Sequence, residues 1–404
     1  MELFNIIIFG MRKIYHLKLP VERFNFVFDT SLMFIFSLII FLLIATDLRV
    51  PRTVPCVIVN NRSSFNLNDY YSNLPELDAR TDSVFKSLTD HQRISQLIMT
   101  SAGKKGKPFS IVRDLVNDGV TGGVLFLGGS SGKLSQRINE LKDVVTSSGN
   151  LHLLISSDAE PSLINRRISG ISQFKNTNEI HSVIEAYKIG SKIAGEIKAI
   201  GFNYNFAPVC DFPFNREIIG NRSFGGDIDS IPKFVSAFIK GTQENNIIAT
   251  AKHFPGHGNI TGDSHKQLVT ISGEMKELEV FRSAIDAGVI SVMVGHIRVS
   301  DNDYSTDGLP STLSKRIVSD LLRDSLEFRG IIVTDAMNMG ALREFPNASL
   351  EAVRAGCDLI IMPPDERKLH SQIIELISSD ENYKQQVFAS VKRILRAKIC
   401  LGLI

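Results

Sequence analysis

The hydropathy of the chain changes character twice before it settles. Phe26 to Ala45 read FVFDTSLMFIFSLIIFLLIA, an apolar run in which Asp29 is the single charge. A helix of about 20 apolar residues is long enough to cross a bilayer. Arg12, Lys13, Lys18 and Arg23 precede the run, and Arg49 and Arg52 follow it. That bias predicts a cytoplasmic N-terminus with the remainder outside the cytoplasm. The long polar-rich stretch ahead of the run, and no clear small-x-small cleavage site, favour an uncleaved anchor. Export after cleavage and a cytoplasmic location are the alternatives. Residues 47–72 mix proline, asparagine and serine without a period, as a linker does. The expected division is a short basic tail over 1–25, a transmembrane anchor over 26–46, the linker over 47–72 and a folded domain over 73–404.

Within that domain, short apolar runs bounded by turn residues recur regularly. They are QLIMTSAG from Gln96, GGVLFLGG from Gly122, LHLLISSDAE ending past Asp158, and FNYNFAPVCD ending at Asp211. IIATAKHF runs into Lys252 and His253, ISVMVGHI into His296, GIIVTDAM into Asp335, and CDLIIMPPD closes the series. Helix-length amphipathic segments lie between most of them. IEAYKIGSKIAGEIKAIG, Ile184 to Gly201, spaces apolar residues by three and four and stops at a glycine. Apolar strands alternating with helices predict parallel pairing buried on both faces. Eight such units predict an α/β fold of the (β/α)8 TIM-barrel type, preceded by the N-terminal transmembrane segment. Active sites of such barrels lie at the C-terminal ends of the strands, where six of these runs end in Asp, Lys-His or His. A doubly wound open sheet is the alternative, but no G-x-G-x-x-G follows the first strands, so nucleotide binding has no support.

Composition adds exclusions. The chain is 43% hydrophobic and 22% charged, with Lys+Arg 45 against Asp+Glu 43. A net charge of +2 without a basic cluster argues against a dedicated nucleic-acid binder. Cys56, Cys210, Cys357 and Cys400 are scattered and suggest neither a disulfide scaffold nor a zinc ribbon.

The densest chemistry lies in KHFPGHGNITGDSH, Lys252 to His265. His253 and His257 are four apart, but Pro255 and Gly256 between them prevent a continuous helix, and the glutamate of a zinc protease is missing. Metal ligation and a plain polar turn are weaker readings than acid–base catalysis. Asp263 and His265, one residue apart in a loop, can turn into one cleft. A carboxylate on one imidazole nitrogen orients the ring and leaves the other to exchange protons. Asp335, at its strand end, can supply a nucleophilic carboxylate. Nucleophile plus proton donor is what a retaining glycosidase needs, although the usual donor is a second carboxyl group.

These residues resemble the signature of glycoside hydrolase family 3, in its single-domain bacterial β-N-acetylglucosaminidase branch. The similarity extends through Gly201–Asp211, IGNRSFGGD at Ile219–Asp227, FRSAI at Phe281, VTDAMNMGAL at Val333 and AGCDLIIMP at Ala355. The resemblance implies that Asp335 is the nucleophile, His265 the general acid/base and Asp263 its orienting partner. It implies that Lys252, His253, Asp158 and Arg222 hold the sugar, with Arg166 matching a later arginine of the third-strand motif. It further implies a retaining exo-β-N-acetylglucosaminidase with no metal or organic cofactor, expected as a monomer. Its substrate would be a carbohydrate, terminal N-acetylglucosamine on a peptidoglycan fragment, and its contact with the membrane would run through the N-terminal helix. Asp211 and His296 suit a supporting role as well as substrate contact, and His257 suits shaping of the loop. The family usually continues its third strand as Asp-Gln-Glu-Gly-Gly-Arg, whereas Asp158 is followed by AEPSLINRR. Pro161-Ser162 replaces the glycine pair and Leu163 the arginine, which opens the shape of the sugar pocket. A β-glucosidase or β-xylosidase specificity, and an inactive sugar-binding homologue, are the alternatives.

Overall fold

The computed structural model describes residues 64–404, apart from 104, 217, 226, 259 and 261–266. Each apolar run supplies one parallel strand: β1 Ile98–Ala102, β2 Gly123–Phe126, β3 Leu154–Ser157, β4 Tyr204–Asn205, β5 Thr250–Phe254, β6 Ser291–Val294, β7 Ile331–Thr334 and β8 Ile360–Ile361. All eight are buried along their length, because helices cover them outside and side chains fill the interior. Met99, Leu125, Leu154, Tyr204, Phe206, Met293, Val333 and Ile361 belong to one buried cluster.

The strands do not form the evenly closed (β/α)8 barrel that their spacing predicts. They form a five-stranded sheet, in the order β8-β1-β2-β3-β4, and a three-stranded sheet, β7-β6-β5. No continuous ladder joins the two: they meet through isolated bridges, Tyr204 to Ile248 and Val209 to Lys252 on one side and Val333 to Leu359 on the other, with backbone hydrogen bonds beside them such as Thr250 N–H to the Ala207 carbonyl and Thr334 N–H to the Leu359 carbonyl. The physical reason lies in the seam strands. β4 and β8 are two residues long, and each is followed by proline (Pro208; Pro363 and Pro364), which has no N–H to extend a ladder. The architecture is thus an α/β arrangement of curved parallel part-sheets. Two further ladders, Gly129–Ser130 with Ile168–Ser169 and Val269–Ser272 with Ile297–Ser300, lie outside them.

Helix Val183–Ile200 is capped by the Ser182 hydroxyl and stops at Gly201 in the left-handed region. It packs against helix Ile231–Gln243 at bare backbone: a Cβ on Gly241 would stand 2.3 Å from the Tyr187 carbonyl oxygen. At the other end of the strands, Phe65, Leu67 and Tyr70 are buried, and the Arg396 guanidinium donates to the Tyr70 carbonyl at 2.6 Å.

The expected anchor and its placement across a membrane gain no support from the structure. Residues 26–46 lie outside the described residues, and among the described residues no helix is long and apolar enough to cross a membrane. Helix Val183–Ile200 illustrates why: Glu185, Lys188, Lys192, Glu196 and Lys198 interrupt its apolar stripe. The single-pass arrangement with an extracytoplasmic barrel is therefore not carried into the functional reading.

Candidate active site

The C-terminal ends of β3, β5 and β7 converge on a cavity of about 440 Å³, lined among others by Asp158, Arg166, Arg222, Lys252, His253 and Asp335. Six residues from distant stretches of sequence therefore share one wall system. In a regular strand Lys252 and His253 would point to opposite faces. Here the register of β5 against β6 shifts between Lys252 and Phe254, and the irregularity turns both side chains to the cavity.

Lys252 is 2% exposed, with Nζ 3.0 Å from Asp158 Oδ1 and 2.5 Å from Glu160 Oε1. Arg222 donates to Glu160 as a fork, Nε and Nη2 each at 2.8 Å. Burial works against the charge on Glu160, but Arg222 and Lys252 outweigh it and hold its carboxyl well below the usual range. Burial likewise opposes the Lys252 ammonium, and Asp158 and Glu160 overcome it, raising its pKa. Glu160, Lys252 and Arg222 are thus held charged together, and Asp158 also lies 3.5 Å from Arg167 Nη2.

Asp211 is fully buried and anchors the opposite side. It accepts from His253 Nδ1 at 2.6 Å and from the His257 N–H at 2.8 Å. Burial raises its pKa, but His253 and His257 pull it below the ordinary value. An ionised acceptor on Nδ1 assigns the proton to that nitrogen and leaves Nε2 as the atom through which His253 can address the cavity. Asp211 therefore takes the supporting role.

Asp335 follows β7, and its Oδ1 accepts from the Ala336 N–H at 2.7 Å. His296 Nε2 lies 3.0 Å from the Ala336 carbonyl, and Thr312 Oγ1 lies 2.8 Å from its Nδ1. A carbonyl can only accept, so Nε2 donates and the ring holds the peptide beside Asp335. His296 thus holds the peptide that follows Asp335.

Asp263 and His265 lie outside the described residues. The motif reading also passed over Glu160 and Arg167. Glu160 carried a signal: it stands two residues past the strand-end Asp158, where the family's third-strand motif also has Glu. Arg167 and not Arg166 reaches Asp158, though both line the cavity. Pro161 opens a short helix, Pro161–Arg167, which places Leu163 in the wall. Among the described residues no cluster of three His, Cys, Asp or Glu side chains is arranged to hold a metal ion.

Residues 89–397 match the glycosyl hydrolase family 3 N-terminal domain. The chain belongs to glycosyl hydrolase family 3. A beta-hexosaminidase of Hydrogenovibrio crunogenus is 32% identical over 231 residues, 53% of this chain and 64% of that protein. A beta-hexosaminidase of Tolumonas auensis is 29% identical over 263 residues, 62% of this chain and 77% of that protein. A solved family 3 β-N-acetylglucosaminidase from Paenibacillus sp. superposes with a TM-score of 0.71 at 30% identity, covering 78% of this chain and 63% of that one. The chain thus spans just under two thirds of the length of some of its relatives. Membership places it among glycoside hydrolases, beside the family's β-hexosaminidases, as the motifs implied.

Proposed function

We propose that the protein is a retaining exo-β-N-acetylglucosaminidase that removes terminal N-acetylglucosamine, with peptidoglycan fragments as its natural substrate. The observation that carries this reading is the gathering of Asp335, His253 and the Asp158–Lys252 pair around one cavity at the strand ends. In this scheme Asp335 attacks the anomeric carbon and the glycosidic C–O bond breaks, giving a glycosyl-aspartate. His265, oriented by Asp263, protonates the leaving oxygen. The neutral imidazole then takes a proton from water as that water attacks the anomeric carbon and releases Asp335. Asp158 accepts from sugar hydroxyls, and Lys252, Arg222, Arg166 and His253 donate to hydroxyls or to the N-acetyl carbonyl. The relatives' name, beta-hexosaminidase, supports an N-acetylated sugar in the first subsite.

The test is release of chromophore from an aryl β-N-acetylglucosaminide, followed by trapping with a 2-fluoro glycoside inactivator and peptide mapping. Asp335→Ala should lower kcat by roughly 10³-fold or more, and the label should sit on Asp335. Equal activity of wild type and variant would remove Asp335 from the role of nucleophile. Because Leu163 lines the wall where the family's motif has arginine, the panel includes aryl β-glucoside and β-xyloside; faster turnover of either would reassign the substrate.

A further inference from the structure

A carboxylate that this reaction scheme does not use sits beneath the loop leaving β5. Glu277, immediately ahead of helix Leu278–Asp286, is 1% exposed and accepts from the Gly258 N–H at 3.0 Å. The fit leaves no slack: a Cβ on Gly256 would lie 2.6 Å from Glu277 Oε2, and one on Gly258 1.9 Å from the Phe212 carbonyl oxygen. Phe212 directly follows Asp211, which holds His253 Nδ1 and the His257 N–H. Two buried carboxylates therefore grip consecutive amides of one loop: Asp211 takes residue 257 and Glu277 takes residue 258.

Placing a second carboxylate near Asp211 is unfavourable, since like charges repel strongly where water is excluded. Burial, then Asp211, push the Glu277 carboxyl up to about 7. The charged group facing it is Asp211 from the loop after β4, which is itself paired with His253 of β5 and with His257 from the loop after β5. From its own helix Phe281 packs on Phe254 and brings no charge. An alanine or leucine here would fill space more cheaply, but neither could hold the amide.

We propose that Glu277 is a positioning residue of the active site. By holding the Gly258 amide opposite the grip of Asp211 on residue 257, it sets His253 at the cavity wall and the course of residues 256–258 after β5. Its kinetic consequences rest on the glycosidase reading; its structural consequence does not.

The experiment compares wild type, Glu277→Ala and Glu277→Gln in the full chain, by kinetics on the aryl β-N-acetylglucosaminide and by amide hydrogen exchange. In Glu277→Ala, kcat/KM should fall about 10²-fold, as misplacement by an ångström can cost. Exchange at residues 256–258 should quicken at least about 10-fold while β5 and β6 stay as protected as in wild type. Glu277→Gln keeps one acceptor oxygen without charge. It should hold the loop, stay within about 5-fold of the wild-type rate at pH 6, and lose a step that the wild-type pH profile shows near 7. Wild-type rate and loop protection in Glu277→Ala would overturn the proposal, as would loss of protection throughout β5 and β6, which would make Glu277 a support of the fold alone. If wild type hydrolyses none of the glycosides, the glycosidase reading fails, and the exchange measurement alone decides the anchor.

Discussion

Lys252 and Arg222 depend on a residue that contacts neither water nor, in the proposed scheme, the sugar. Glu160 is 1% exposed and takes Nζ of the lysine and two nitrogens of the arginine. Replacing it with glutamine keeps the shape but removes the charge that compensates two buried cations. Breaking one partner of a buried ion pair costs about 3–5 kcal/mol, because the remaining charge stays desolvated. Glu160→Gln should therefore lower the urea midpoint by that free energy, with the slope unchanged, and raise KM as Lys252 and Arg222 lose their fixed positions. A stability within 1 kcal/mol of wild type would show that the network relaxes into water instead.

Helices Val183–Ile200 and Ile231–Gln243 meet at backbone, and Gly241 is what permits it. Alanine is the better helix former by about 1 kcal/mol. Its Cβ would nonetheless stand 2.3 Å from the Tyr187 carbonyl, so the helices must separate. Overpacking of that kind costs about 1–3 kcal/mol. The clash should win, and Gly241→Ala should melt below wild type; an equal or higher Tm would mean the pair slides apart freely. The segment joining the loop after β5 to helix Leu278–Asp286 adds a pH dependence. Glu277 is raised from an ordinary 4.5 to about 7 in the folded state. A raised carboxyl contributes stability that is complete below pH 4.5 and lost as pH rises through 7. The loss is on the order of 3 kcal/mol at most. The stability difference between wild type and Glu277→Gln should therefore shift against wild type from pH 4.5 to 8, as chemical denaturation at stepped pH would measure. A constant difference would mean that Glu277 titrates in the fold as it does in the unfolded chain.

Across the whole molecule, the two part-sheets are pinned to the helix Glu381–Cys400 by one buried group. Asp358, just ahead of β8, accepts from Arg323 at 2.7 Å, from Arg393 at 2.9 Å and from the Ile332 N–H of β7 at 2.7 Å. Burial works against its ionisation, and the two arginines overcome it, lowering its pKa. Asp358→Asn should destabilise by about 3–5 kcal/mol in a urea titration while the cavity, at the opposite end of the strands, keeps its residues. A neutral effect would mean the seam between β7 and β8 is held by its backbone hydrogen bonds and apolar packing without the buried charge.

Much of this was legible along the chain. Strand positions followed from apolar runs flanked by glycine and proline, because burial on both faces of a parallel sheet demands unbroken apolar stretches. Asp158, Lys252, His253 and Asp335 could be picked out because polar residues ending such runs have one end of the sheet to occupy. The seams could not be read so. Whether a strand of two residues closes a barrel depends on hydrogen-bond partners from elsewhere, and at β4 and β8 these gave isolated bridges and scattered backbone bonds in place of a continuous ladder. Glu277 was hidden, and Glu160 showed only by its place two residues past Asp158, since what distinguishes both is the company of Lys252, Arg222 and the Gly258 amide, up to 92 residues away in the chain between Glu160 and Lys252. Charge compensation in a buried site is set by neighbours in space. Local pattern determines which residues face inward; only the packed sheets determine which charge meets which.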